Sequence, residues 1–209
     1  MLIRPATSTA DLDAVYRLTH DAYIALSYCA PQPDGRLRHY TDIDTAPENM
    51  VVVVEEAGAI VGTVSITLDG PAGLPSEQRF GGAVDAIRAE GTVIGACWRL
   101  VTEPGHRATD AVLIELMRST VTVFSGFGVD TALLSLAPRH ERAYNRIFGT
   151  VTIARTSDAA GAAVSSPLVL VRGSVAAGIR RLPPDDNPAL ATLVAERRRL
   201  IAAVRDVAA

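Results

Sequence analysis

Apolar residues recur at two different spacings along this chain, and the switches between them mark out its elements. Residues 2–6 read as a short strand. Ser8-Thr9-Ala10-Asp11 carries a capping-box pattern, with Ser8 as N-cap and Asp11 reaching back. Leu12, Val15, Leu18, Ala22 and Leu26 then follow at the spacing of one helix face. A polar segment with prolines, 29–48, reads as a loop or broken helix. Two β-prone runs, Met50–Glu56 and Ile60–Leu68, meet across Ala57-Gly58 as a hairpin. A loop with Pro71, Gly73 and Pro75 leads to a short helix over Ala83–Glu90, stopped by Gly91. Thr92–Thr102 reads as a buried strand, broken by Glu103-Pro104-Gly105. The helix that follows carries Leu113, Leu116, Met117, Val121 and Phe124 on one face and ends at Gly126 or Gly128. Thr131–Ala137 is a strand, Arg139–Phe148 a helix stopped by Gly149, and Val151–Ala154 and Pro167–Val171 are final strands around a small-residue loop at 157–166. Hairpins mixed with strand–helix–strand units predict an α/β (α+β) domain, a mixed central sheet with flanking helices, over residues 1–182. Pro183 to Pro188 reads as a linker, and 183–209 as linker plus an appended C-terminal helix carrying Leu190, Leu193, Arg197, Ile201 and Val204.

Composition narrows the class. The 209 residues suffice for one domain with a full core, and 48% hydrophobic with 21% charged residues describes a soluble globular protein. A net charge of −3 argues against nucleic-acid binding driven by phosphate contacts. Cys29 and Cys97 have no paired spacing, and a reducing compartment fits them. The N-terminus lacks a secretory pattern, and no apolar run approaches the roughly 20 residues of a membrane helix. A cytoplasmic protein without an integral membrane segment is expected. His20, His39, His106 and His140 show no metal-ligand spacing. No G-x-S-x-G elbow is present, and Cys97 reads as a buried, inert thiol.

Several segments, in order, carry a family resemblance. Asp42-x-Asp44 precedes the hairpin that ends Ile60-Val61-Gly62-Thr63. Leu74-Pro75, Asp85 to Gly91, and Trp98-Arg99-Leu100 come next. Ala137-Pro138-Arg139-His140-Glu141-Arg142-Ala143-Tyr144 through Gly149 is similar to an "N-P-x-H-x-x-F-Y" segment, and Arg17 with Tyr23 to an arginine–aromatic pair. Over residues 3–150 the chain resembles the GNAT acyltransferases, and within them the long-chain N-acyl amino acid synthases, relatives of the acyl-homoserine-lactone synthases. The resemblance implies a GNAT fold with splayed central strands. It also implies an acyl thioester donor, an amine acceptor, no metal and no tightly bound cofactor. Two departures stand out: Ala96 occupies the place of the usual strand glutamate, and Gly105 to Asp110 lacks the glycines of a coenzyme A pyrophosphate loop.

The implied reaction is N-acyl transfer from an acyl-phosphopantetheine thioester, acyl carrier protein before coenzyme A, to the amine of an amino acid or similar small molecule. An acetyl-coenzyme A enzyme and an inactive acyl-binding or sensor module are the alternatives. Tyr144 is the expected acid for the leaving thiolate, with Arg99 and Glu103 completing the expected catalytic set, Glu103 as the nearest carboxylate to replace Ala96. Arg17, Tyr23, Asp42, Asp44 and Trp98 are the expected acceptor-side residues, with Leu100, Val101 and Thr102 offering a backbone N–H to the oxyanion. A charged residue inside an apolar strand needs a partner, so Arg99 is expected to meet Asp42, Asp44 or a substrate carboxylate. Strand alternation puts it on the face opposite Trp98. Arg107, Ala108, Thr109, Arg139, His140 and Arg142 are the expected donor-binding residues; each arginine read singly is a solvated surface charge. His140 reads either as a proton shuttle or as a capping and packing residue. Acyl carrier protein and a small-molecule amine are the expected partners, with no nucleic acid, and a homodimer stays open.

Overall fold

The computed structural model describes residues 1–157 and 166–208, so most of the loop expected at 157–166 lies outside the described residues. In chain order the elements are β1 (Leu2–Pro5), α1 (Thr9–Ala25), α2 (Thr41–Thr45), β2 (Asn49–Glu56), β3 (Ala59–Leu68), α3 (Glu77–Arg88), β4 (Ile94–Thr102), α4 (Thr109–Phe127), β5 (Thr131–Leu136), α5 (Pro138–Phe148), β6 (Val151–Thr156), β7 (Leu168–Ser174), α6 (Val175–Arg181) and α7 (Pro188–Ala208). The described strands form one sheet in the order β1-β2-β3-β4-β5-β7-β6. Every neighbouring pair is antiparallel except β4 with β5. Among the described residues no helix is long and apolar enough to cross a membrane.

Local signals act as the sequence suggests at most boundaries. Ser8 accepts from the Asp11 N–H at 3.0 Å while the Asp11 carboxylate accepts from the Ser8 N–H at 3.1 Å, closing the capping box of α1. Gly128 and Gly149 end α4 and α5 in the left-handed conformation at φ 69° and 68°. Two helices differ from expectation. α3 starts at Glu77, six residues before the expected Ala83, and holds together across a kink at Phe80, φ −138°. There the Glu77 carboxylate accepts from the Leu74 N–H at 2.6 Å and also binds Arg88, ties that sequence periodicity does not register. α6 follows β7 directly, capped by the Ser174 hydroxyl, which accepts from the Ala177 N–H. At seven residues it is too short to show a helical period.

The sheet has two differently loaded faces. Met50, Val52, Val54, Val64, Ile66, Cys97, Leu134 and Val171 pack with Val112, Leu116 and Phe124 of α4 and Leu190 of α7. On the other face, Val51 and Val53 meet Val15 of α1, and Ile94, Ala96 and Leu133 meet Phe80, Val84 and Ile87 of α3. Gly95 brings α4 close to the sheet: a Cβ there would press on the Phe124 ring and lie 3.1 Å from the Thr67 carbonyl oxygen. So α1, α2 and α3 cover one face, and α4 to α7 the other.

Two irregularities of β4 create space in the middle. Its pairing with β5 runs from Ile94↔Thr131 to Cys97↔Leu134 and then stops, so the two parallel strands diverge beyond Cys97. Opposite β3, the register jumps from Ser65↔Trp98 to Thr63↔Val101, leaving Arg99 and Leu100 against Val64. This is a β-bulge, and Arg99 stands in it at φ 49°. One extra residue flips the alternation beyond it: Val101 packs with α1, and Leu100 joins the α4 face.

Candidate active site

The bulge overturns the expectation that Arg99 and Trp98 face opposite ways. The Arg99 guanidinium carbon lies 4.2 Å from the centre of the Trp98 ring, on the side of the sheet covered by α1 and α2. Its side chain is fully buried. Nη2 donates to Asp44 Oδ2 at 2.7 Å and to the His39 carbonyl at 3.4 Å. The Tyr16 hydroxyl donates to the same carboxylate oxygen at 3.1 Å. Nε and Nη1 of Arg99, and Oδ1 of Asp44, are buried with no hydrogen-bond partner among the described residues. Burying such donors and acceptors is unfavourable unless something completes them.

α2 exists to deliver Asp44. It opens at Tyr40, whose φ of 60° is left-handed and rare for a bulky residue. Tyr40 and His39 both meet Trp98 edge-on, 5.2 Å and 5.4 Å between centroids, and His39 also meets Tyr23, tilted, at 5.9 Å. The Trp98 indole N–H donates to Thr67 Oγ1 at 2.9 Å. Burial holds His39 down to about 3, so it is a neutral imidazole at any ordinary pH. Two strained residues, Tyr40 and Arg99, thus converge on one aromatic-walled cation.

A cavity of 370 Å³ fills the divergence between β4 and β5 and reaches both faces of the sheet. Its walls include Tyr23 and Tyr28 from the α1 side, and Thr109, Leu113, His140 and Tyr144 from the α4–α5 side. A smaller cavity of 70 Å³ lies against His39, Tyr40, Ser76 and Ala96. The two share Tyr23, Cys97, Trp98, Arg99, Ser135 and Leu168. Ala96, at the place of the usual family glutamate, lines the smaller cavity and brings no carboxylate to it.

Tyr144 stands on the cavity wall with burial pushing its phenol upward, so it is a protonated donor. No described protein group hydrogen-bonds its hydroxyl. Cys97 is buried and pushed up to about 12, which keeps its thiol inert, as expected. The Glu103 N–H donates to the Val61 carbonyl at 2.8 Å. Antiparallel alternation then turns the Thr102 N–H away from β3, toward the gap left by β5.

The remaining expected residues fall in several places. Leu100, Val101, Thr102 and Thr109 line the main cavity. Glu103 lines its exposed rim. Arg17 does not reach it: the side chain is exposed and pairs with Asp13 at 2.7 Å, one turn back on α1. Asp42 is exposed on α2 and does not meet Arg99. Arg107, Arg139 and Arg142 are exposed, and Arg139 covers the Tyr28 ring at 4.8 Å. At the start of α4, His106 Nδ1 accepts from the Ala108 N–H at 3.2 Å, and the same ring meets Glu56 at 3.1 Å. Tyr16, Tyr28, His39 and Tyr40 were not singled out from sequence. Tyr16 adjoins Arg17 and takes the inward position that Arg17 was given; only the facing of α1, set by Val15 and Leu18, could have told them apart.

Comparison with known proteins bears on the family and the fold. A family model described as N-acyl amino acid synthase FeeM matches residues 14–174. The solved structure of FeeM, an N-acyl amino acid synthase from uncultured soil microbes, has a TM-score of 0.72 at 20% identity, covering 86% of this chain and 93% of that one. The acyl-homoserine-lactone synthase LasI follows at a TM-score of 0.58 and 15% identity, covering 83% and 88%. A coenzyme A-dependent acyl-homoserine-lactone synthase, BjaI, gives 0.53 at 14%, covering 89% and 81%. At these identities the likeness is one of fold, and the fold is that of the GNAT acyltransferases. No curated protein matches the sequence.

Proposed function

Because the chain belongs to the FeeM family of N-acyl amino acid synthases and is an N-acyltransferase, we propose that it moves a long-chain acyl group from a carrier-protein thioester to the amine of an amino acid. The observation that carries the acceptor half is Arg99, a buried guanidinium beside the cavity whose Nε and Nη1 have no partner among the described residues. A carboxylate is the group that suits open guanidinium N–H donors, its oxygens accepting charge-assisted hydrogen bonds from them. Asp44 and Tyr16 hold the guanidinium from behind, and Trp98 stacks on it, so it needs little reorganisation to bind. With the carboxylate on Arg99, the α-amine projects into the divergence of β4 and β5. The Thr102 N–H supports the oxyanion there, and Tyr144 gives its proton to the departing sulfur. The acyl chain lies along the apolar wall that includes Leu113, Leu134, Leu136 and Leu168.

Two features favour a carrier protein over coenzyme A. A pyrophosphate is held by free N–H groups at a helix N-terminus, but here His106 already takes the Ala108 N–H, and Glu56 sits behind it. An anion arriving there meets a carboxylate. Conversely, Arg139, Arg142 and Arg146 are exposed on α5, which borders the cavity, at the i, i+3, i+7 spacing of one helix face. Such a stripe suits an acidic carrier surface. The free Cys29 and Cys97 suit a cytoplasmic enzyme. The test compares matched acyl-carrier and acyl-coenzyme A donors. The expected kcat/KM is higher for the carrier thioester and falls with salt. Arg142→Glu should lower the carrier-to-coenzyme A ratio about tenfold or more, the size of a like-charge penalty at an interface. Equal use of both donors, with no effect of the reversal, contradicts the carrier assignment.

A further inference from the structure

With alanine at position 96, the acceptor ammonium needs another proton acceptor. We propose that His140, reached through the hydroxyl of Tyr28, is the base that takes the proton from the acceptor amine; this rests on the acyl-transfer reading above. His140 opens α5 just beyond β5, and Tyr28 belongs to the segment after α1. Their side chains meet at 3.1 Å between His140 Nε2 and Tyr28 Oη, and both line the central cavity. The contact therefore joins the acceptor wall to the donor wall at the place where amine and thioester must meet. Tyr28 is held by an edge-on contact with Tyr23, 5.6 Å between centroids, and by Arg139 over its ring.

The ring's lone pair faces inward. Arg139 Nε–H also reaches His140 Nε2, at 3.4 Å, and a guanidinium only donates. Nε2 thus carries no proton, and the Tyr28 O–H donates to it. Burial and Arg139 both lower the affinity of this imidazole for a proton, below its ordinary value of 6.5. It is neutral, and able to accept, at neutral pH. Among the described residues, the other ionisable groups on the cavity walls are Tyr23, Cys97 and Tyr144, all pushed upward by burial, Arg99, paired with Asp44, and Glu103 at the exposed rim.

The step balances. The ammonium sheds two protons on becoming an amide nitrogen. The first passes to Tyr28 Oη as the Tyr28 proton moves to His140 Nε2, and the freed amine attacks the thioester carbon. The C–S bond breaks as Tyr144 protonates the thiolate, and Tyr144 recovers its proton from the second N–H. His140 returns its proton to water.

Steady-state kinetics against pH test this on the wild-type enzyme, using an acyl thioester and an amino acid acceptor. With an enzyme base that binds the ammonium form, kcat/KM for the acceptor stays level across neutral pH and drops along a one-proton limb below 6.5. Without one, it climbs about tenfold per pH unit all the way to the amine's own pKa, and that slope overturns the proposal. His140→Gln and Tyr28→Phe, each checked by melting temperature, are expected to lower kcat/KM about 100-fold at pH 7, with the deficit shrinking as pH rises. Hydroxylamine, already neutral at pH 7, should show a much smaller deficit. A deficit that is constant with pH and equal for hydroxylamine means a packing role and overturns the proposal. Amide formation by the wild type with no acid limb sinks only the base; no amide formation at any pH sinks the acyl-transfer reading with it.

Discussion

Replacing Arg99 with alanine is expected to cost about 3–5 kcal/mol of stability, the penalty for leaving one member of a buried ion pair alone. The side chains of Arg99 and Asp44 are 0% and 2% exposed, so water cannot solvate the carboxylate that remains. Urea titration monitored by Trp98 fluorescence measures this, and Trp98 loses its stacking partner in the same substitution. Arg99→Lys separates folding from function. It keeps a positive charge for Asp44 but loses the planar guanidinium whose Nε–H and Nη1–H are open to a ligand. The folded Lys variant is expected to raise the acceptor KM more than tenfold while leaving the donor KM near that of the wild type. If the acceptor KM is unchanged, Arg99 is a structural cation and the carboxylate site lies elsewhere.

Tyr144→Phe is expected to lower kcat about 100-fold or more, within the usual contribution of general acid catalysis, and to leave both KM values little altered. The ring already packs on Phe148, 5.4 Å between centroids, and phenylalanine keeps that contact. The hydroxyl has no described protein partner, so its removal leaves no orphaned group behind. The loss should therefore appear in the chemical step and not in the melting temperature. A leaving thiol of lower pKa should restore much of the rate, because a better leaving group needs less protonation. Equal loss with every leaving group would mean that Tyr144 positions the acyl chain.

The fold was legible wherever it is written in short-range chemistry. The capping box at Ser8, the turn at Ala57-Gly58 and the glycine stops at 128 and 149 act in the structure as they read in the sequence. The site was legible by residue type and not by direction. Arg99 needed an anion and has one, yet alternation assigned it to the wrong face, because a bulge has no mark in composition until a residue is seen at φ 49°. Asp42 and Asp44 were equivalent on paper; the left-handed Tyr40 turns one inward and the other to solvent. Tyr16 and Arg17 differ by one helix position, about 100° of rotation, which decides between a place beside the Arg99–Asp44 pair and a surface pair with Asp13. Pairings such as Tyr28 with His140 span 112 residues, and no local pattern announces them.

In the proposed reaction, amine and thioester meet where β4 leaves β5 beyond Cys97. Its most direct test is a mass-spectrometric count of thiol and N-acyl amino acid released by the wild-type enzyme from an acyl thioester and mixed amino acids. The expected result is one amide per thiol, with the acceptor's carboxylate free. Thiol matched only by free fatty acid, or no thiol above the enzyme-free background, would contradict it.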